Sequence, residues 1–403
     1  MMDANAVLDQ EVSRLQGFIE NQKFPFLRRL SHSRPALITI AILVVLFQMR
    51  TMPETLANDS LDAAIAVERP VQAKSVRLVT IDDDDYKVKF QSRSPLDPDV
   101  LSKMLAAVAR GHARAIVVDI DTSDPSFLSM ATPQIPIVWN VSGEQLEDGK
   151  FKLDAPLGGR ELPPGSVAAL AVAPRDDRGI VRGYQHIYPL EKGGSVDSPG
   201  YAAARIVAGH APEAASSEGA THYLDYRYRF VPIKARDLLS DADSPTWENM
   251  ALFNGQVVVV GGAYRVARDE YATPRGLLNG CEIVAQAAAA EIEGTFIGSV
   301  SRWMTGLLMI LGGLATLAVY HWLKFKQAFL VSLGLIPALS IASNWILFHR
   351  FAAWGAMVPL VVAVIVAELY SKATLYLTFY QKVATIKAKG PPVEAAAAVP
   401  EPK

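Results

Sequence analysis

Three long apolar runs near the end of the chain set the first constraint on what it can fold into. "WMTGLLMILGGLATLAVYHWL" begins at Trp303, "AFLVSLGLIPALSIASNWILF" at Ala328 and "AAWGAMVPLVVAVIVAELY" at Ala352. A helix needs roughly 20 apolar residues to cross a bilayer, and each run is long enough. Helices in a soluble core seldom stay apolar on every face over such a length. A fourth run, "PALITIAILVVLFQM" from Pro35 to Met49, is shorter and lies between Arg34 and Arg50. Arginine side chains can snorkel to the interface at both ends and make up the difference. A cleaved signal peptide is the rival reading, but no small-residue cleavage site follows directly.

Basic residues give the orientation. Arg28, Arg29 and Arg34 precede the first run, Lys324 and Lys326 separate the second from the third, and Lys372, Lys382, Lys387 and Lys389 follow the last. Four crossings put all of them on one side, the cytoplasm, with Arg350 a lone exception outside. The layout expected is a cytoplasmic segment 1–34, a span at 35–50, an exterior domain at 51–301, spans at 302–323, 327–348 and 352–378, and a disordered cytoplasmic tail at 379–403. That layout implies a multi-pass protein of a bacterial-type inner membrane, with both termini inside. The formal net charge of -2 gives no reason to expect a nucleic-acid partner. The single cysteine, Cys281, has no readable base beside it and reads as a core residue.

The exterior domain reads as α/β with a parallel or mixed sheet. "SVRLVTID" is a strand ending in the aspartates Asp82 to Asp85, and residues 100–108 repeat apolar side chains at helical spacing. "ARAIVVDIDTSD" is a short continuous apolar run, the mark of a strand buried on both faces. "QIPIVWNVSG", "SVAALAVAP", "VRGYQHIYPL", "HYLDYRYRFVPI" and "QVVVVGGAY" read as further strands. "PGYAAARIVAGHA" and "CEIVAQAAAAEIEG" read as helices stopped by glycine, and residues 51–75 as a juxtamembrane helix and linker.

The strand ending at Gly261–Gly262 invites a nucleotide reading, which the following residues exclude. Neither G-x-G-x-x-G nor a lysine-bearing P-loop follows, and the next helix is too far away. Glycines at the end of a buried strand let the backbone turn sharply. Such strand ends line the crevice where open α/β sheets bind ligands.

"FNGQVVVVGGAY…RDEYATPRGLLNGCEIVAQAAAAEIEG" resembles the closing motif of the CHASE-type-2 family of extracellular sensory domains associated with cyclases and histidine kinases. The matching positions are Gly261, Asp269, Thr273, Pro274, Gly280 and Glu282. "VRLVTIDDDDY", "AIVVDIDTSD", "DDRGIVRGY" and "LDYRY" resemble its other motifs, so the likeness covers nearly the whole exterior domain. Three spans after the domain also fit that family. Two departures stand out. Ser94-Pro95-Leu96 replaces a tryptophan- and proline-rich turn, and 379–403 leaves no room for an output domain. The resemblance implies a sensor that signals through a separate cytoplasmic kinase or nucleotide cyclase, and it allows a homodimer. The alternative is a structural or accessory subunit that uses the domain as a docking platform in a membrane or envelope complex.

Asp82 and Asp119 end strands read as neighbours, and Asp121, Arg265, Asp269 and Thr273 belong to the same loops. Together they could hold a divalent cation or a small cationic or zwitterionic ligand. The plainer account is that Asp119 and Asp269 cap helices or pair with Arg265, and that Asp83 to Asp85 are solvated charge. No cofactor is expected. His112, His186, His210 and His222 lack ligand spacing, and no nucleophile elbow is present, so an enzyme is not expected; a metal-dependent hydrolase is the alternative. In the spans, Gly306, Gly312, Gly313 and Gly334 suit close helix packing, and Pro337 and Pro359 suit kinks. Glu368 is the intramembrane charge: it either snorkels towards the interface near Lys372 or touches a partner's helix.

Overall fold

The computed structural model describes residues 54–209, 221–241, 247 and 251–299, with Gln327, Val331, Trp345, Ile346, Ala353 and Trp354. Ser60–Ser299, with Phe348–Trp354, belongs to one compact unit. Apart from those single positions, the four apolar runs and Glu368 lie outside the described residues. Among the described residues no helix is long and apolar enough to cross a membrane.

In chain order the elements used below are α1 (Glu54–Val67), β1 (Val76–Ile81), α2 (Asp83–Val88), α3 (Pro98–Arg110), β2 (Ala115–Asp119), β3 (Ile137–Val141) and β4 (Val167–Leu170). Then come β5 (Gly183–Gln185), β6 (Ile187–Pro189), β7 (Ser195–Asp197), α4 (Pro199–Ala208), β8 (Thr221–Tyr223), β9 (Ile233–Lys234) and α5 (Ala235–Asp241). The last are β10 (Val257–Gly262), β11 (Glu270–Thr273), β12 (Gly276–Asn279) and α6 (Gly280–Glu293).

Six strands make one sheet in the order β9-β1-β10-β2-β3-β4, every pair parallel. Parallel sheets must be covered on both faces, which is why β10 and β2 are continuous apolar runs rather than alternating ones. Successive side chains still divide between the faces. Leu78, Val117, Val138, Val257 and Val259 pack against α4 and α6. Val79, Ile116, Val118, Trp139, Val258 and Val260 pack against Leu101, Met104, Leu105 and Val108 of α3. The result is a three-layer α/β/α core.

The two covering faces differ in residue size. α3 presents long side chains at helical spacing, with Asp97 as N-cap and Pro98 in its first turn. α4 and α6 present alanines, among them Ala202, Ala203, Ala285 and Ala288. Small side chains let these two helices touch closely, and a Cβ on Gly200 would meet the backbone of Ala287 at 2.8 Å.

Two long strands expected from sequence are broken. "VRGYQHIYPL" forms β5 and β6, which pair with β8 and β7 in separate two-stranded sheets. "HYLDYRYRFVPI" yields β8, the two residues Tyr228–Arg229 and β9. Tyr226 breaks that run, with φ at +50° and its hydroxyl donating to the Val181 carbonyl at 2.8 Å.

Candidate functional site

The carboxyl ends of β10, β2, β3 and β4 open onto a crevice of about 620 Å³. Parallel strands all end on the same edge of a sheet, so their last side chains converge there. β2 contributes Asp119, β3 contributes Asn140, and β10 contributes Gly262. The first residues of α4 and α6, Pro199 and Gly280, complete that side, with Tyr264, Asp269 and Tyr271 from the loop and hairpin after β10.

Asp119 is the centre of this wall. Its Oδ1 accepts a hydrogen bond from the Asn140 side-chain amide at 2.6 Å, and its Oδ2 is buried without a partner. Burial, reinforced by the charge of Asp269 and opposed by the Asn140 bond, pushes the Asp119 carboxyl up to about 7. Burial also raises Asp269, against the pull of the Tyr271 hydroxyl, the Gly280 amide and the Arg175 charge. Arg175 itself lies over the Tyr271 ring at 4.8 Å. Tyr264 is held by parallel stacking on Tyr86, with ring centroids 4.4 Å apart. Cys281, behind the wall at the start of α6, is fully buried, and burial pushes its thiol up. It is an inert core residue rather than a nucleophile.

The residues expected from sequence to share this crevice divide. Asp119, Asp121 and Asp269 line it. Asp121 sits on the rim, its Oδ1 accepting from the Ser123 amide at 2.9 Å. Asp82 does not join them, because β10 lies between β1 and β2, so the two strands are not neighbours. Asp82 instead caps α2 and pairs with Arg236 at 3.1 Å. Burial opposes its ionisation, but the Asp85 amide, Arg236 and Lys234 outweigh that and hold its carboxyl below the usual range. Arg265 is 90% exposed and lies 3.6 Å from Asp83, not from Asp119 or Asp269. Thr273 closes the β11–β12 turn, its hydroxyl donating to the Gly276 carbonyl at 2.7 Å. At α6 the N-cap residue is Asn279, whose amide donates to the Glu282 side chain at 2.9 Å, while the amide of Gly280, the first residue of the helix, acts on the Asp269 carboxyl.

Asp85 corrects the expectation of solvated charge. It is 0% exposed and accepts from the Asp82, Ala235 and Arg236 amides at 3.2 Å each. Among the described residues no group of three His, Cys, Asp or Glu side chains could hold a metal ion.

Sequence reasoning missed Asn140, Ser198 and the tyrosines of the wall. Asn140 carried a signal, as a polar residue inside the apolar run "IVWNV" of β3. Ser198 carried another, preceding a Pro-Gly pair that opens a helix. It also missed a pair of stacked imidazoles, His186 and His222, with centroids 3.6 Å apart. They are brought together by the β5–β8 pairing, which no local spacing reveals.

No curated protein and no solved structure matches the chain. The model of the CHASE2 domain matches residues 38–319, more than half of the sequence. That region includes the whole parallel sheet, its covering helices and the acidic crevice at its carboxyl edge, and the chain therefore belongs to the CHASE2 domain family of extracellular sensory domains.

Proposed function

We propose that this protein is a membrane-anchored sensor subunit whose α/β domain faces away from the cytoplasm of a bacterial-type inner membrane. Occupation of the crevice by a small ligand would shift the domain between two states, and the apolar segments would carry that shift to a separate cytoplasmic kinase or nucleotide cyclase. A ligand can drive such a shift only through its different affinity for the two states. The observation that carries the reading is the crevice itself. In a family of sensory domains, a cavity of about 620 Å³ bounded by Asp119, Asn140 and Asp269 has the size and mixed lining of a small-molecule site.

The test is purification of the full chain from native membranes in mild detergent, with co-purifying proteins identified by mass spectrometry. A stoichiometric cytoplasmic kinase or cyclase is the expected result. A stoichiometric membrane or envelope assembly without any signalling enzyme would overturn the sensory role in favour of an accessory subunit, in which the domain is a docking platform.

A further inference from the structure

Charge is the first guide to what the crevice takes. Asp119, Asp121, Asp124 and Asp269 line it, and among the described residues no Lys, Arg or His does. Asp121 and Asp124 are occupied at the rim by amides of their own loop, Ser123 at 2.9 Å and Ser126 at 2.8 Å. Asp119 and Asp269 are left as the charges of the interior. Arg175, the positive group acting on Asp269, stands over the Tyr271 ring and is not part of the wall.

Unmet hydrogen bonding is the second guide, and it is independent of charge. Asn140 is 5% exposed and Ser198 is 3% exposed, and both line the crevice. Asn140 Oδ1, Ser198 Oγ and Asp119 Oδ2 are buried with no partner. Native interiors rarely leave such atoms unpaired. The Asn140 amide already donates to Asp119, so Asn140 Oδ1 can only accept, and Asp119 Oδ2 accepts in the ionised form of the carboxyl. The wall therefore asks for a ligand rich in N–H donors.

We propose that the crevice binds a small organic ammonium compound, whose N–H groups donate to Asp119 Oδ2 and Asn140 Oδ1 and whose charge offsets the Asp119–Asp269 pair. The proposal rests on the reading of the crevice as the sensory site. The volume suits an organic molecule rather than a bare ion, and Tyr264 and Tyr271 add aromatic surface to its lining. Amines and amino acids share this chemistry. An amino acid would also bring a carboxylate, for which the first turn of α4 is available, because the Ser198 side chain makes no cap bond there.

Protonation gives the site a signature. Burial, then the charge of Asp269 before α6, opposed by the Asn140 bond from β3, leave the Asp119 carboxyl at about 7, and the Cys281 thiol of α6 also faces it. An ammonium ligand binds the ionised form, so affinity rises with pH through neutrality.

The experiment is calorimetric titration of the full-length protein in detergent with putrescine and L-alanine, and with succinate and glucose as controls. Binding of putrescine or alanine is expected, stronger by about tenfold at pH 8 than at pH 6, since a carboxyl titrating near 7 is mostly protonated at the lower value. D119N should weaken binding at least tenfold and flatten the pH profile. If D119N does not fold, the wild-type pH profile still decides. Binding of putrescine alone identifies an amine; binding of alanine alone identifies an amino acid, its carboxylate at α4. Binding of succinate or glucose without either ammonium compound overturns the proposal and leaves the sensory reading standing. No binding at millimolar concentration, or equal binding by D119N, also overturns it, and co-purification then decides the sensory reading separately.

Discussion

His222 is a partly buried imidazole with neither ring nitrogen paired, face to face with His186. His186 in turn bonds Glu291 through Nε2 at 2.6 Å, while the Tyr184 hydroxyl donates to the same Glu291 oxygen. Tyr201 stacks on His186 from its other side, and the Phe296 ring meets both imidazoles edge-on. Burial, then the neighbouring His186, lower His222 to about 4 despite the opposing pull of Glu291. A histidine depressed in the fold from an ordinary value near 6.5 stabilises the protein fully above that value. The contribution is lost as pH falls from about 6.5 through about 4, because the unfolded chain takes up the proton first. A tenfold difference in proton affinity between the folded and unfolded chain is worth roughly 1.4 kcal/mol, and partial exposure of the ring reduces the whole contribution to about 1–2 kcal/mol. Thermal melts between pH 7 and pH 4 should show this loss, and H222F, which keeps the stacked ring, should remove that part of the slope. An unchanged slope in H222F would assign the acid sensitivity elsewhere. Sequence reading treated these histidines as scattered. Positions 186 and 222 meet only because the tip of β8 lies beside β5, a pairing with no local signature.

At the scale of elements, what was legible depended on length. β1, β2, β3, β10, α3, α4 and α6 each follow from a run of apolar residues with one period, and burial repays that pattern directly. The order of the strands was not legible, because β10 is the last strand of the six-stranded sheet in chain order yet inserts between β1 and β2. That insertion is what takes Asp82 out of the crevice and leaves Asp119 and Asp269 in it. It also explains the glycine at the end of β10 better than any ligand does. A Cβ at Gly261 would run into Cys281 Cβ at the start of α6 and stand 3.2 Å from Asp119 Cβ. The glycine lets the last sheet strand and the helix after it cross in contact. G261A should therefore cost about 1–3 kcal/mol in denaturant unfolding, the usual penalty of overpacking a closed core. C281G removes the obstructing Cβ, so the double variant should recover part of the loss relative to the sum of the two single changes. Additive losses would show that Gly261 is needed for something other than this contact.

For the whole molecule, the question is how the α/β core is tied to the chain on either side of it. α1 precedes the core, and Leu61 and Ile65 on it are buried in the α4–α6 side of the core. Its carboxyl end is held by Arg275, whose guanidinium donates to the Ile65 and Glu68 carbonyls at 2.7 Å each. Its middle is held by Arg182, 4% exposed, which donates to both Asp62 oxygens at 2.8 Å and pairs with Asp176 as well. After the core, Tyr223 and Ile297 exchange two backbone hydrogen bonds at 3.1 and 2.9 Å, next to the imidazole cluster. Arg182 and Asp176 belong to the stretch "DDRGIVRGY", which in sequence resembles one of the family's motifs. Its task in the fold is to fasten α1. Removing the buried guanidinium leaves two partly exposed carboxylates without their partner, so R182Q should destabilise the domain by about 1–3 kcal/mol. The loss should be uneven. Amide hydrogen exchange in α1 should accelerate more than in β10 or β2, because local opening follows the weakest attachment. Arg182 is not part of the crevice wall, so ammonium binding at 25 °C should persist in whatever fraction remains folded, while any response of a co-purified effector should fall. Uniform acceleration of exchange across the sheet would show that Arg182 supports the core as a whole and is not specific to α1. A response that survives undocking of α1 would leave the segment after α6 as the route by which a change in the crevice leaves the domain.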